Sequence, residues 1–336
     1  MTQTYQQLMN DLQAGKFLPV YYLMGEESYY IDKVSDFIEN NVLAEEERDF
    51  NQTVLFGADV SMQQVIEYAK RYPMMSEHQV VIVKECQVLK NTELLEQYMQ
   101  KPMPSTILVF CHKNGSLDKR KKVASILSKS SSSVLFESKK LKDSDLPVFI
   151  INYLKSQGVG IDDKSSHIIA ESIGSDLNRL VSELNKLKIG LAEGQGITPD
   201  IVEQKIGVSK DFNTFELRNA IVSKNVFKAN QIIDYFDKNP KAGSVYGMLP
   251  LLFQYFSNLM QAHYAPNKDD RSIAEWLGIS PWAAREYITG MKCFSARKVL
   301  QIISKFREID AKSKGLDNPN TSASDLMKEL VFFILH

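Results

Sequence analysis

Cysteine is scarce in this 336-residue chain: Cys86, Cys111 and Cys293 lie far apart, with no C-x-x-C pair. Such a set cannot build a zinc ribbon or a redox dithiol, and an odd count suits a reducing cytoplasm. An excess of charge of one sign is missing as well, with 40 basic residues against 41 acidic ones for a net charge of −1. No global field therefore favours nucleic acid, membrane or acidic partners, and any such contact must be local. Long hydrophobic runs are absent too. The longest apolar stretch, Val245 to Met260, is broken by Pro250, Gln254, Ser257 and Asn258, so it reads as a buried helix and not as a membrane span. The polar opening from Met1 to Gly15 has no basic stretch followed by an apolar one, so no signal peptide is expected and the location is read as cytoplasmic.

Catalytic signatures are equally sparse. The five histidines, His78, His112, His167, His263 and His336, show no metal-ligand spacing, and no metal or cofactor is expected. Asp162-Asp163 and Asp269-Asp270 fall in polar stretches where adjacent acids usually start helices. No G-x-S-x-G or Cys/His signature occurs.

What the sequence does contain is a change of pattern near residue 140. Before it, five short runs read as strands: Pro19–Met24, Thr53–Phe56, Gln79–Lys84, Thr106–Cys111 and Ser133–Glu137. They are apolar and rich in β-branched or aromatic residues, as strands covered on both faces should be. Helical patterns lie between them, one opened by the capping box Ser61-x-x-Gln64, another with Ser116 as its expected cap and Val123, Ile126 and Leu127 on one side. Strands alternating with helices imply an α/β domain with a mostly parallel, doubly wound sheet.

Beyond Lys142 the pattern is helical. Leu177, Leu180, Val181, Leu184 and Leu187 keep helical spacing up to Gly190, and Thr198-Pro199 starts a further helix. From Ser209 three stripes follow: Phe227, Ile232, Ile233 and Phe236; Val299, Ile302, Ile303, Phe306 and Ile309; and Leu326, Leu330, Phe333 and Ile334. Pro250 is expected to break or kink the helix between the first two stripes. The expected organisation is an α/β domain over 1–140, a small helical domain over 141–208 and an all-α C-terminal domain over 209–336.

The first strand-to-helix turn is where a nucleotide-binding domain would carry G-x-x-x-x-G-K-[ST]. This chain has Gly25-Glu26-Glu27-Ser28-Tyr29-Tyr30-Ile31, with Tyr30 and Ile31 in place of the second glycine and the lysine. Glu26 and Glu27 would satisfy the helix N-terminus themselves and repel a phosphate. The strand that would end in magnesium-holding acids ends as Phe110-Cys111-His112. Nucleotide hydrolysis is accordingly not expected.

Several segments, in order, are similar to one known family. They are Val20 to Glu27; Tyr72-Pro73-Met74-Met75-Ser76-Glu77 through Lys84; Leu117-Asp118-Lys119-Arg120-Lys121-Lys122; Ile173 through Leu187; and Gly207 through Ile221. Together they resemble the delta subunits of the bacterial DNA polymerase III clamp loader, a degenerate AAA+ family. The resemblance implies a degenerate AAA+ sheet domain, a helical lid and a C-terminal collar. It also implies a non-catalytic subunit that binds and opens the ring-shaped sliding clamp (beta) during DNA replication. Its partners would be the ATP-hydrolysing gamma/tau subunits and delta prime, met through the C-terminal domain, and primed DNA inside the assembled loader.

The family's clamp-binding position falls on Pro73, Met74 and Met75, although many relatives carry an aromatic where Met75 stands. A proline that ends a helix would leave two flexible, polarizable thioethers on an exposed turn. A possible phosphate-binding patch is Lys119, Arg120, Lys121 and Lys122, within a stretch from Lys113 to Lys142 that holds nine basic residues against Asp118 and Glu137. Two competing readings remain. Residues 271–291, with Ser272-x-x-Glu275 as a capping box, Gly278 ending a short helix and Ser280-Pro281 starting another, have the outline of a helix-turn-helix DNA-binding regulator, although Arg285 is the only base before Lys292 on the second helix. The other is a nucleotide hydrolase with an unrecognised phosphate loop.

Overall fold

The computed structural model describes residues 3–91, 93–192, 194–207, 209, 211–240, 244–279, 281–318 and 320–336, without the side chains of Pro281 and Trp282. Val208 and Lys210 at the expected domain junction, and the expected helix-starting Ser280, lie outside the described residues. The chain divides into two compact units, Met1–Leu141 and Lys142–His336.

The first unit is a five-stranded parallel sheet in the order β2-β3-β4-β1-β5. Its strands are β1 (Val20–Gly25), β2 (Gln52–Phe56), β3 (Gln79–Lys84), β4 (Thr106–Lys113) and β5 (Ser133–Ser138). Around them run α1 (Tyr5–Gln13), α2 (Ser28–Asn41), α3 (Glu45–Asn51), α4 (Met62–Ala69), α5 (Glu93–Tyr98) and α6 (Lys122–Lys129). Alternate residues of the central strands bury opposite faces. Tyr21, Leu23, Ile82 and Val109 pack with Leu8, Leu12, Ile31 and Val34 of α1 and α2. Val20, Tyr22, Val81 and Phe110 pack with Val65, Leu95, Val123 and Leu127 of α4, α5 and α6. The sheet is therefore covered on both sides, as its apolar strands require.

Of the caps expected for α4 and α6, one forms and one moves. The box of Ser61 and Gln64 forms, but α6 starts after Lys121 and not at Ser116. The cause is Asp118, whose carboxylate accepts the Arg120 N–H at 3.0 Å while its carbonyl accepts the Lys121 N–H at 2.9 Å. That turn delays the helix.

The second unit is helical apart from one isolated bridge, Ile161 to Ile197, among the described residues. Its first helices are α7 (Leu146–Lys155), α8 (Asp163–Ile173), α9 (Leu177–Lys188) and α10 (Pro199–Ile206). There follow α11 (Thr214–Val222), α12 (Val226–Lys238), α13 (Met248–Tyr264), α14 (Asp270–Leu277), α15 (Pro281–Cys293), α16 (Ala296–Ser313) and α17 (Ala323–Leu335).

The paired acids work as caps. Asp162 accepts from the Ser165 N–H, and Asp269 takes both the Arg271 and Ser272 N–H groups, which displaces Ser272 from its expected capping role. Pro250 sits in the first turn of α13, where its missing N–H has no intrahelical partner to lose. The stripes of α9, α16 and α17 are buried largely as their spacing predicts, with Ile303 and Phe333 only partly covered. Phe227 departs from expectation and lies exposed on α12. No helix among the described residues is long and apolar enough to cross a membrane.

Candidate partner-binding turn and filled phosphate turn

The connection from α4 to β3 carries the main candidate site. The helix ends at Ala69, three residues before Tyr72-Pro73, so these residues and the two methionines lie outside any regular element. Met74 is 62% exposed and Met75 is 102% exposed. Tyr72 and, at the end of α3, Phe50 are exposed as well. Large apolar side chains held in water in one stretch of chain are the usual mark of a surface that another protein covers.

Met75 has φ 54, in the left-handed region that a residue with a side chain seldom adopts. The neighbouring Met74 is held by a residue that sequence reasoning missed. Asn51, 2% exposed at the end of α3, accepts the Met74 N–H at 2.6 Å on Oδ1 and donates Nδ2–H to the Met74 carbonyl at 2.9 Å. The same Nδ2 also donates to the Glu47 carbonyl at 3.0 Å. The two residues stand 23 apart in sequence, and nothing local in the chain signals the pairing.

The turn after β1 is filled by the protein itself. Gly25 has φ 137, and a Cβ there would stand 1.9 Å from the Ser138 carbonyl oxygen. Its N–H donates to the Gly115 carbonyl at 2.8 Å, and the Glu26 N–H donates to the Ser138 carbonyl at 3.0 Å. Glu27 is buried and caps α2 by accepting the Tyr29 N–H at 3.1 Å. The Gly25, Glu26 and Tyr29 N–H groups, which could otherwise cradle a phosphate, are thus engaged, and a carboxylate occupies the helix end. Tyr30 packs against Tyr5 with ring centroids 4.5 Å apart, and burial, with the charge of Glu27 added, pushes its phenol up to about 12. At the tip of β4, where magnesium-holding acids would stand, Lys113 pairs with Asp32 at 2.7 Å and Glu85 at 3.7 Å. No cluster of three or more His, Cys, Asp or Glu suited to a metal occurs among the described residues.

The basic run is exposed but largely neutralised. Lys119 pairs with Glu137 at 2.8 Å, Arg120 with Asp118 at 2.9 Å and Lys122 with Glu96 at 3.7 Å. Four cations facing three carboxylates leave a local excess of 4 − 3 = 1. Exposed pairs of this kind are weak enough to exchange for phosphate, so the arrangement lowers the field without closing the surface.

The helix-turn-helix outline is present in α14, left-handed Gly278 and α15, yet its would-be reading helix faces inward. Ala284 is buried, and Tyr287 stacks on Tyr255 of α13 at 5.3 Å. Arg285 is tied to Asp270 at 2.8 Å. Little is left among the described side chains of α15 to read bases.

The comparisons agree with one another. The family model described as "DNA polymerase III, delta subunit" matches residues 21–138. The DNA polymerase III subunit delta of Bacillus subtilis (strain 168) is 26% identical over 315 residues, which cover 90% of this chain and 90% of the relative. The solved structure of the Bacillus subtilis DNA clamp loader delta protein shares this fold with a TM-score of 0.52 at 24% identity, covering 99% of each chain. Over 90% of its length, this chain is similar to the delta subunit of Bacillus subtilis DNA polymerase III.

Proposed function

We propose that the chain is the non-catalytic delta subunit of a bacterial clamp loader, which grips the ring-shaped sliding clamp through Met74 and Met75 and helps to open it during replication. The observation that carries this reading is the pair of exposed methionines on a turn whose backbone is already fixed. A chain that binds a strained ring more tightly than a closed one shifts the ring toward opening by that difference in affinity, without using nucleotide. The filled turn at Gly25, Glu26, Glu27 and Tyr30 supports assigning ATP hydrolysis to partner subunits, gamma/tau, with delta prime beside them.

In the same reading the second unit comprises a lid over 141–208 and a collar over 209–336 that meets the other subunits, and the complex works in the cytoplasm. The isolated protein is expected to capture a purified bacterial clamp ring without nucleotide and to show no ATP turnover. Turnover by the pure chain, or tight binding to one DNA sequence without ring capture, would favour a hydrolase or the regulator built on residues 271–291.

The patch at Lys119, Arg120, Lys121 and Lys122 is proposed to touch DNA phosphates inside the assembled loader. With one net cation, its contribution is small. Lys121→Ala is expected to reduce the slope of log affinity for primed DNA against log salt by about 0.9, the share of one phosphate contact. An unchanged slope would remove the patch from the DNA path.

A further inference from the structure

We infer that Asn51 is a positioning residue that holds the Met74–Met75 turn in its binding geometry before any partner arrives; this rests on the clamp-binding reading above. Met74 has one backbone donor and one backbone acceptor, and the Asn51 amide meets both, at 2.6 and 2.9 Å. Only one orientation of the amide does so, since the flipped form would set donor against donor. A third bond, to the Glu47 carbonyl, ties the same amide to α3. The side chain therefore pairs with Met74 much as a neighbouring strand would, in a stretch that has no ladder of its own.

The consequence falls on Met75. With Met74 fixed on one side and β3 beginning at Gln79 on the other, the chain passes through the left-handed region at Met75 and leaves that side chain fully in water. A free nine-residue connection would have to be ordered during binding, and affinity would fall by the cost of ordering it. Asn51 removes that cost in advance. Its own burial at 2% exposure keeps water from competing for the two bonds.

The full-length protein tests this. Asn51→Ala is expected to weaken binding to the clamp ring about tenfold through lost preorganisation. It should also speed hydrogen exchange at the Met74 amide while the Val80 and Val81 amides in β3 stay protected. Asn51→Asp, nearly the same shape, keeps the acceptor for the Met74 N–H but faces two carbonyls with no donor. Its ring affinity is expected to be low at neutral pH and to recover as the pH falls and the new carboxyl gains a proton to donate, whereas the unsubstituted protein shows no such recovery. Unchanged exchange at Met74 in Asn51→Ala, or an affinity equal to that of the unsubstituted chain, would overturn the inference. A protected Met74 in a protein that captures no ring would instead overturn the clamp-binding reading and leave the pinning in place.

Discussion

Replacing Met74 and Met75 together by alanine is expected to cost at least about a hundredfold in affinity for the clamp ring while leaving thermal stability unchanged. Burying two such side chains in an apolar pocket contributes roughly 3–6 kcal/mol before ordering costs. Ordering costs are low where the turn is already fixed, so most of that energy is available to binding. The lower bound alone corresponds to a factor of more than about 100 in Kd. Stability should not follow, because both side chains already stand in water and surface changes of this kind stay within about 0.5 kcal/mol.

Met75→Gly sharpens the test. Glycine adopts φ 54 without the cost that a side chain brings, on the order of 1 kcal/mol, so this variant should melt no earlier than the parent. It should still bind the ring more weakly. A substitution that relieves the fold and harms the function would mark Met75 as a residue kept for its contact. Titration calorimetry beside a thermal melt separates the two effects, and undiminished affinity in the double alanine variant would end the clamp-binding reading.

The chain wrote its sheet more openly than its site. Strands such as Val80-Val81-Ile82-Val83 are nearly continuous β-branched runs because helices cover both faces, and the structure puts each strand within one or two residues of its expected bounds. Caps were less legible because several residues can start the same helix: Asp269 lies three residues ahead of Ser272 and accepts its N–H, so the helix begins before Ser272. Phe227 shows the limit of periodicity, which finds the stripe of a helix but not how far the core reaches along it. The apolar doublet beside Pro73 was visible in the sequence, but the pinning of its backbone was not. An Asn at the end of a short acidic helix predicts a turn, and only the tertiary fold brings it to Met74. The pairing of the basic run with Glu96 and Glu137 was hidden for the same reason.

Arg218→Met is expected to cause a large loss of stability, and the loss should grow with pH. Arg218 on α11 lies 2.8 Å from Glu286 of α15 and 3.9 Å from Glu171 of α8, and its guanidinium lies over the rings of Phe215 and Tyr255. One permanent cation thus faces two buried carboxylates, with Asp163 and the neutral His167 nearby. Burial pushes Glu171 up to about 7 against the pull of Arg218, burial likewise raises Glu286, and burial lowers His167 to about 4.

Between the ordinary Glu171 value of 4.5 and about 7 the folded chain holds a proton that the unfolded chain releases, so stability falls as the pH rises through that window. Asp163, raised to about 6 by burial and the charge of Glu286, works in the same direction. Without Arg218 the carboxylates lose the cation that opposes their burial, and removing one partner of a buried pair costs about 3–5 kcal/mol. For a unit of this size that is a fall of roughly 6–20 °C in Tm. At pH 5 the carboxyls of Arg218→Met can take up protons and the deficit should shrink; at pH 8 they cannot do so cheaply, and it should be at its largest. Melts of the two proteins across this range decide the matter. A deficit independent of pH would mean that Arg218 stabilises the helices by packing over Phe215 and Tyr255 and not by its charge.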